Sequence, residues 1–387
     1  MMSLSGRGRS AWLAAALAGL VLFLGAPQGA TAAAVAEAAP ATRAEVAAAL
    51  AHEIVDDLSI DERAATVVMG SIPGTDRRAL ASYLQEGGLG GFILMGSNVP
   101  PSEPALRLLT NAMHGDAEAL PPLLATDQEG GIVSRLRWDD GPAGAALQAL
   151  PPAKTEAAFE ARGQLLERGG VDVNFGIVAD VGTATSGFIR SRTLGADATS
   201  AAERVAAAVE GERGHVLSTL KHFPGHGAAA GDSHHTIPQT DMSLDEWRAS
   251  HAPPFEAGID AGAELVMSGH LRFTDVSEEP ASLSPEWYDI LRDELGFEGV
   301  AVTDDLGMLL SSGERKYADP ARNAVAAISA GADLALMVAG SDAATARAMA
   351  AGIASEVEPA RLEEAATRVV TLRVLASGLL DGPAFQD

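Results

Sequence analysis

Cysteine is missing from this 387-residue chain. Its absence excludes disulfides, thiolate zinc sites, Fe–S clusters, cysteine nucleophiles and lipid-bearing cysteine anchors. Lysine is nearly missing too: only Lys154, Lys221 and Lys316 stand among 27 basic residues, the remaining 24 being Arg. Basic residues are outnumbered by 52 acidic ones, which gives a formal charge of −25. Such a chain lacks the basic field that draws phosphates, so nucleic acid and anionic membrane surfaces are poor partners for it. Also lacking are short repeats and any Gly/Ser/Pro-rich linker that would divide the chain into domains. What is present is 47% hydrophobic and 20% charged residues, a globular composition. The scarcity of Lys beside heavy use of Ala and Arg fits a GC-rich bacterial genome.

The amino-terminal stretch reads as a secretory leader. Arg7 and Arg9 precede an uncharged apolar run from Ala11 to Ala26, followed by Ala30-Thr31-Ala32. A basic region, an apolar region and a small-x-small site make a cleavable signal, and the run is shorter than the ~20 residues of a spanning helix. Residues 1–32 are therefore expected to be removed. That takes away two Arg and no acid, so −25 becomes −27. Residues 33–48 read as a flexible lead-in and 49–387 as the folded body. Export to the cell envelope or medium follows, with no stable membrane insertion once the leader is gone. A monomer is expected.

Eight short apolar runs recur through that body: Thr66–Met69, Gly91–Met95, Leu123–Thr126, Val171–Phe175, Ser218–Leu220, Leu265–Ser268, Gly299–Thr303 and Leu334–Val338. Strands apolar on both faces are typical of buried parallel sheets. Segments of helical periodicity, such as Ala201–Arg213 and Ala318–Ala330, lie between them. Eight alternating units predict an α/β fold, a single-domain (β/α)₈ barrel. Chemistry in such a barrel sits at the carboxyl ends of the strands. The polar clusters fall there: Asp127-Gln128-Glu129-Gly130-Gly131, Lys221-His222, Ser268-Gly269-His270 and Asp304-Asp305.

Four of the nine His lie in Lys221-His222-Phe223-Pro224-Gly225-His226-Gly227 and Asp232-Ser233-His234-His235. His222 and His226 have the i, i+4 spacing of a zinc pair, but Pro224 and Gly225 oppose a helix between them, and no Glu follows His222. The other chemical reading is acid/base. Asp232 stands two residues before His234, close enough to accept a hydrogen bond from one imidazole nitrogen and orient the ring. A solvated polar loop is the plain alternative. Lys221, at a strand end in a chain so poor in lysine, reads as a donor to a polar substrate. Of the two aspartates after the seventh run, Asp305 suits a helix cap. Alternation along the strand sends Asp304 the other way, where a carboxylate can act as a nucleophile without a metal.

Together these motifs resemble glycoside hydrolase family 3, in its β-N-acetylhexosaminidase branch. Ser282-Leu283-Ser284-Pro285 and Glu294-Leu295-Gly296-Phe297-Glu298-Gly299 extend the likeness, which spans the mature chain. The resemblance implies that Asp304 is the nucleophile, His234 the general acid/base and Asp232 its orienting partner. It also implies that Asp127, Arg135, Arg192, Lys221 and His222 bind the sugar, with no cofactor and no metal. Ile132 departs from the pattern, since many relatives carry Arg after the two glycines. The expected activity is retaining, exo-acting removal of terminal β-linked N-acetylglucosamine from peptidoglycan fragments or chitooligosaccharides. A phosphorylase is the alternative, because an imidazole repels an incoming phosphate less than a carboxylate would. A non-catalytic sugar-binding barrel is the second alternative.

Overall fold

The computed structural model describes residues 42–115, 119–183 and 186–381. The expected leader lies outside the described residues. So does 33–41 of the lead-in, but Arg43–Asp56 is a helix whose Thr42–Glu45 capping box closes its first turn. Residues 43–48, expected to be a flexible lead-in, are instead helical, because this helix packs against the last one, Pro359–Ala376.

Eight parallel strands form the centre: β1 (Val68–Gly70), β2 (Gly91–Leu94), β3 (Leu123–Thr126), β4 (Val173–Val178), β5 (Leu217–Phe223), β6 (Leu265–Ser268), β7 (Val300–Thr303) and β8 (Ala335–Leu336). Their spatial order is β7-β6-β5-β4-β3-β2-β1-β8, so each neighbours its predecessor in sequence until the eighth returns beside the first. β1 through β4 and β6 through β8 are buried throughout, and β5 opens only at Leu217. That is why they read as continuous apolar runs. Helices cover the outside, among them Pro152–Gly169, Ala198–Glu212 and Pro320–Ala330. The result is an α/β fold with a nearly closed eight-stranded barrel.

The ring closes at a thin seam between β7 and β8. Only one ladder bridge crosses it, Val302 to Leu334. Side chains supplement that bridge at both rims. At the amino rim the buried Asp333 accepts from the Ala301 amide at 2.9 Å and from Arg292, Arg361 and Arg368. At the carboxyl rim Asp305 accepts from the Val338 and Ala339 amides at 2.7 and 3.0 Å.

Register sets the strand ends level. Val178 pairs with Lys221, Lys221 with Met267, and Ser268 with Thr303. Asp127, Asp180, Lys221, His222 and Asp304 therefore share one rim. Beneath the loops after β5 and β6, Phe223, Trp247, Phe255, Phe273 and Trp287 meet edge-to-face, with centroids 4.9–6.1 Å apart. Each such contact adds about 0.5–1.5 kcal/mol beyond area burial. The Trp247 indole N–H donates to the Pro224 carbonyl at 2.8 Å, which fixes where the histidine loop leaves β5.

Candidate active site

The loop after β3 makes one wall of the site. Gly130 and Gly131 have φ of +86° and +63°, and a Cβ on Gly131 would come within 2.7 Å of the Ala143 methyl, so both the turn and the close approach require glycine. The buried Gln128 staples the turn. Its Oε1 accepts from the Arg135 and Leu136 amides at 2.9 Å each, and its Nε2 donates to Ser134 and Asp139 at 2.6 and 2.8 Å. Behind it, Asn174 on β4 exchanges bonds with the Gln128 backbone and donates to Glu212, which also accepts from Ser218. Burial pushes the Glu212 carboxyl up to about 8, against the pull of Asn174 and Ser218.

A charged lattice faces the mouth. Asp127 accepts from Arg135 at 2.8 Å and from Lys221 at 3.0 Å. Glu129 takes both Arg192 nitrogens, at 2.8 and 2.6 Å, and Lys221 at 2.7 Å. Burial works against both carboxylates, but the Lys221 charge, with Arg135 or Arg192, outweighs it and holds each below its usual range. Burial likewise opposes the Lys221 ammonium, and the Asp127 and Glu129 charges raise it above its usual value. Lys221 thus ties the two carboxylates of the β3 loop to β5.

His222 and His226 converge on one buried carboxylate, Asp180, just past β4. The His222 ring meets Asp180 Oδ2 through Nδ1 at 2.7 Å, and the His226 amide donates to Oδ1 at 2.5 Å. Arg192 lies 3.3 Å from His222 Nε2 and can only donate. Nε2 is therefore the acceptor and Nδ1 carries the proton. Burial, reinforced by the Arg192 charge, pushes the His222 ring well below its ordinary value and keeps it neutral. Burial raises Asp180 to about 6. The Lys221–His222 and Phe223–Pro224 peptide bonds are cis. Among the described residues no group of three His, Cys, Asp or Glu is arranged to hold a metal ion.

At the end of β7 the two aspartates part. Asp305 caps the helix Leu306–Leu310 through the Gly307 amide at 2.8 Å, besides spanning the seam. Asp304 Oδ1 accepts its neighbour's amide at 2.8 Å. Burial raises its carboxyl, but the His222 and His270 rings and the Asp305 amide prevail and hold it below the usual value. His270 is fixed by Ser282 at 2.6 Å and by donation from Nε2 to the Asp305 carbonyl at 2.9 Å. The barrel mouth therefore carries a buried, ionised carboxylate beside a neutral His222.

The loop after β5 carries Asp232 and His234, paired through Nδ1 and Oδ1 at 2.6 Å. Asp232 also accepts the His234 amide at 3.0 Å; burial works against its carboxyl, but the two bonds together hold it below its usual range. Both side chains are about half exposed (46% and 57%), so the imidazole can meet a substrate without rearrangement of the core. His235 is exposed.

The fold thus brings Asp127, Arg135, Arg192, Lys221, His222 and Asp304 to one rim, with the Asp232–His234 pair on an adjoining loop. Sequence reasoning assigned no role to Glu129, Asp180 and His270. Glu129 lay inside a motif already noted. Asp180 ends the apolar run Ile177-Val178-Ala179 much as Asp304 ends Val300–Thr303, a signal that could have found it.

Comparison with known proteins gives one answer. The glycosyl hydrolase family 3 N terminal domain matches residues 59–372. A beta-hexosaminidase of Stenotrophomonas maltophilia is 36% identical over 252 residues, covering 62% of this chain and 74% of that protein. One from Methylobacillus flagellatus is 33% identical over 267 residues, covering 64% and 73%. Among solved structures, a glycoside hydrolase family 3 beta-N-acetylglucosaminidase from a Paenibacillus species superposes with a TM-score of 0.77 at 28% identity, over 82% of this chain; the match spans 63% of that longer protein. A beta-N-acetylhexosaminidase from Beutenbergia cavernae gives 0.71 at 30% identity, covering 82% and 99%.

Proposed function

The chain belongs to glycosyl hydrolase family 3 and is a glycoside hydrolase, and from that premise we propose that it is an exo-acting β-N-acetylglucosaminidase that works with retention. One observation carries the reading: a buried, ionised Asp304 at the end of β7, in a barrel whose loop after β5 presents a carboxylate-paired imidazole. In this reading Asp304 Oδ1 is held by the Asp305 amide, which leaves Oδ2 to attack the anomeric carbon. Protonated His234 gives its proton to the departing oxygen as the glycosyl–Asp304 ester forms. Neutral His234 then takes a proton from water, whose oxygen opens the ester and regenerates the carboxylate. Asp232 keeps the Nδ1 proton of His234 in place, so Nε2 is the nitrogen that exchanges protons with substrate. Asp127, Arg135, Arg192, Lys221 and His222 hold the sugar hydroxyls, with Glu129 and Asp180 fixing the donors' directions.

The substrate class is terminal β-linked N-acetylglucosamine in peptidoglycan fragments or chitooligosaccharides. The beta-hexosaminidase and beta-N-acetylglucosaminidase relatives support it. Export through removal of residues 1–32, a single domain and a monomeric state belong to the same proposal. No helix among the described residues is long and apolar enough to cross a membrane. The test is an assay of aryl β-N-acetylglucosaminide beside aryl β-glucoside, each with and without phosphate. Turnover of the first, independent of phosphate and with the β-anomer as first product, is expected. Dependence on phosphate would replace this reading with a phosphorylase, and preference for the glucoside would overturn the N-acetylglucosamine substrate class.

A further inference from the structure

The half-exposed dyad has to be held against the rim by something, and the loop offers little for the purpose. Ala228, Ala229, Ala230 and Gly231 lead into it without a polar side chain among them. Within 230–236 a single residue is buried: Ser233, 3% exposed, between the two members of the dyad. The dyad itself is locally tight. The Asp232 carbonyl accepts the His235 and Thr236 amides at 3.2 and 3.3 Å, and its carboxylate holds both the amide and the ring of His234. These bonds tie the turn into one unit, and Ser233 is the side chain it sends into the protein.

Ser233 meets His226 there, Oγ to Nε2, at 2.9 Å. His226 is 2% exposed, its backbone amide sits on Asp180 Oδ1, and its ring packs edge-on to His222 with centroids 5.9 Å apart. The other oxygen of Asp180 holds the His222 ring. One buried carboxylate at the end of β4 therefore supports a sugar-site imidazole directly and the Asp232–His234 turn through His226 and Ser233. A buried hydroxyl-to-imidazole bond in this position is worth more than its ordinary contribution, because losing it leaves a buried ring nitrogen without that partner.

We propose that Ser233 is a positioning residue for the acid/base pair, tethering the Asp232–His234 turn to Asp180 by way of His226. The proposal rests on His234 being the general acid, as inferred above. Ser233 touches no reacting atom in this scheme; it acts through His234, so its loss must look like a partial loss of acid catalysis and not like a general weakening. Removing the tether leaves the Asp232–His234 bond intact and lets the turn leave the rim.

The experiment compares kcat/KM for two β-N-acetylglucosaminides, one with an alkyl aglycone and one with a dinitrophenyl aglycone, in the wild-type chain, Ser233→Ala, His234→Ala and the double variant. Ser233→Ala is expected to lose about tenfold or more on the alkyl substrate, a part of the ~10²–10⁴-fold that a general acid supplies, and less than about twofold on the dinitrophenyl one. In the His234→Ala background the same substitution should change neither value by more than about twofold. Equal losses on both substrates, or an undiminished loss in the double variant, would overturn the tether while leaving the acid assignment in place. If His234→Ala itself shows no dependence on the leaving group, the acid assignment falls and the tether with it.

Discussion

Replacing Glu212 by Gln should make the protein more stable, by an amount that grows with pH. Glu212 is wholly buried, with Asn174 on one oxygen and Ser218 on the other. Gln can serve both neighbours with the same shape. Burial raises the carboxyl from 4.5 to about 8, so the native state binds a proton across a range in which the unfolded chain has released it. This contribution to stability is complete below about pH 4.5, falls as pH rises, and is gone above about 8. Its slope inside that window is about 1.4 kcal/mol per pH unit. Between pH 5 and 7 the wild-type chain should therefore lose roughly 2–3 kcal/mol that Glu212→Gln does not lose. Urea unfolding of both proteins at half-unit intervals from pH 4.5 to 8.5 reads the difference directly, and the other titrating groups cancel in the comparison. A stability difference that stays flat across the range would refute the argument, since it would mean that Glu212 is ionised in the native state at acid pH.

Asp304→Ala should lower kcat on an aryl β-N-acetylglucosaminide by on the order of 10³-fold or more with the unfolding transition unchanged, whereas Asp305→Ala should instead lower the unfolding midpoint, because three backbone amides lose their acceptor; activity that survives the first change and not the second would exchange their roles. Asp333→Asn strands Arg292, Arg361 and Arg368 around a neutral side chain, and chemical unfolding should report a loss of about 3–5 kcal/mol. Exhaustive chelation should leave turnover intact; loss of activity restored by zinc would contradict an acid/base role for the histidine loop.

Strand placement was legible because the interior of a barrel is apolar on both faces, and β3 and β6 coincide with their sequence runs to the residue. β5 did not. Lys221 and His222 continue the strand that apolarity seemed to end at Leu220, because their charges and polar atoms are met by Asp127, Glu129 and Asp180 from other loops. Partners 42 and 94 residues away leave no local trace. β4 runs past Phe175 to Val178 because pairing with β5, which shifts register across Phe175 and Gly176, resumes at Ile177 and Val178. The pairing of Asp232 with His234 could be read because both members lie within three residues. Asp180 could have been flagged as a strand-end carboxylate, but not its role: nothing in its neighbourhood says that two histidines will come to it.

The seam between β7 and β8 has a bearing on when the enzyme can work. Asp305, which clasps the carboxyl rim, is the residue that donates its amide to Asp304. On the proposed assignment, the residue that clasps the last strand is also the one that orients the Asp304 carboxylate. During synthesis, Asp304 is already made while Val338 and Ala339 are not, and until they arrive the Asp305 carboxylate lacks two of its partners. On the proposed assignment, a chain that stops short of β8 lacks two of the three amides that hold the Asp305 carboxylate, and with them part of what orients Asp304. On the proposed roles, cutting the ring open at this seam by circular permutation should cost turnover more than sugar binding, since the lattice of Asp127, Glu129, Arg192 and Lys221 is built on β3, β5 and the loop after β4, away from the seam.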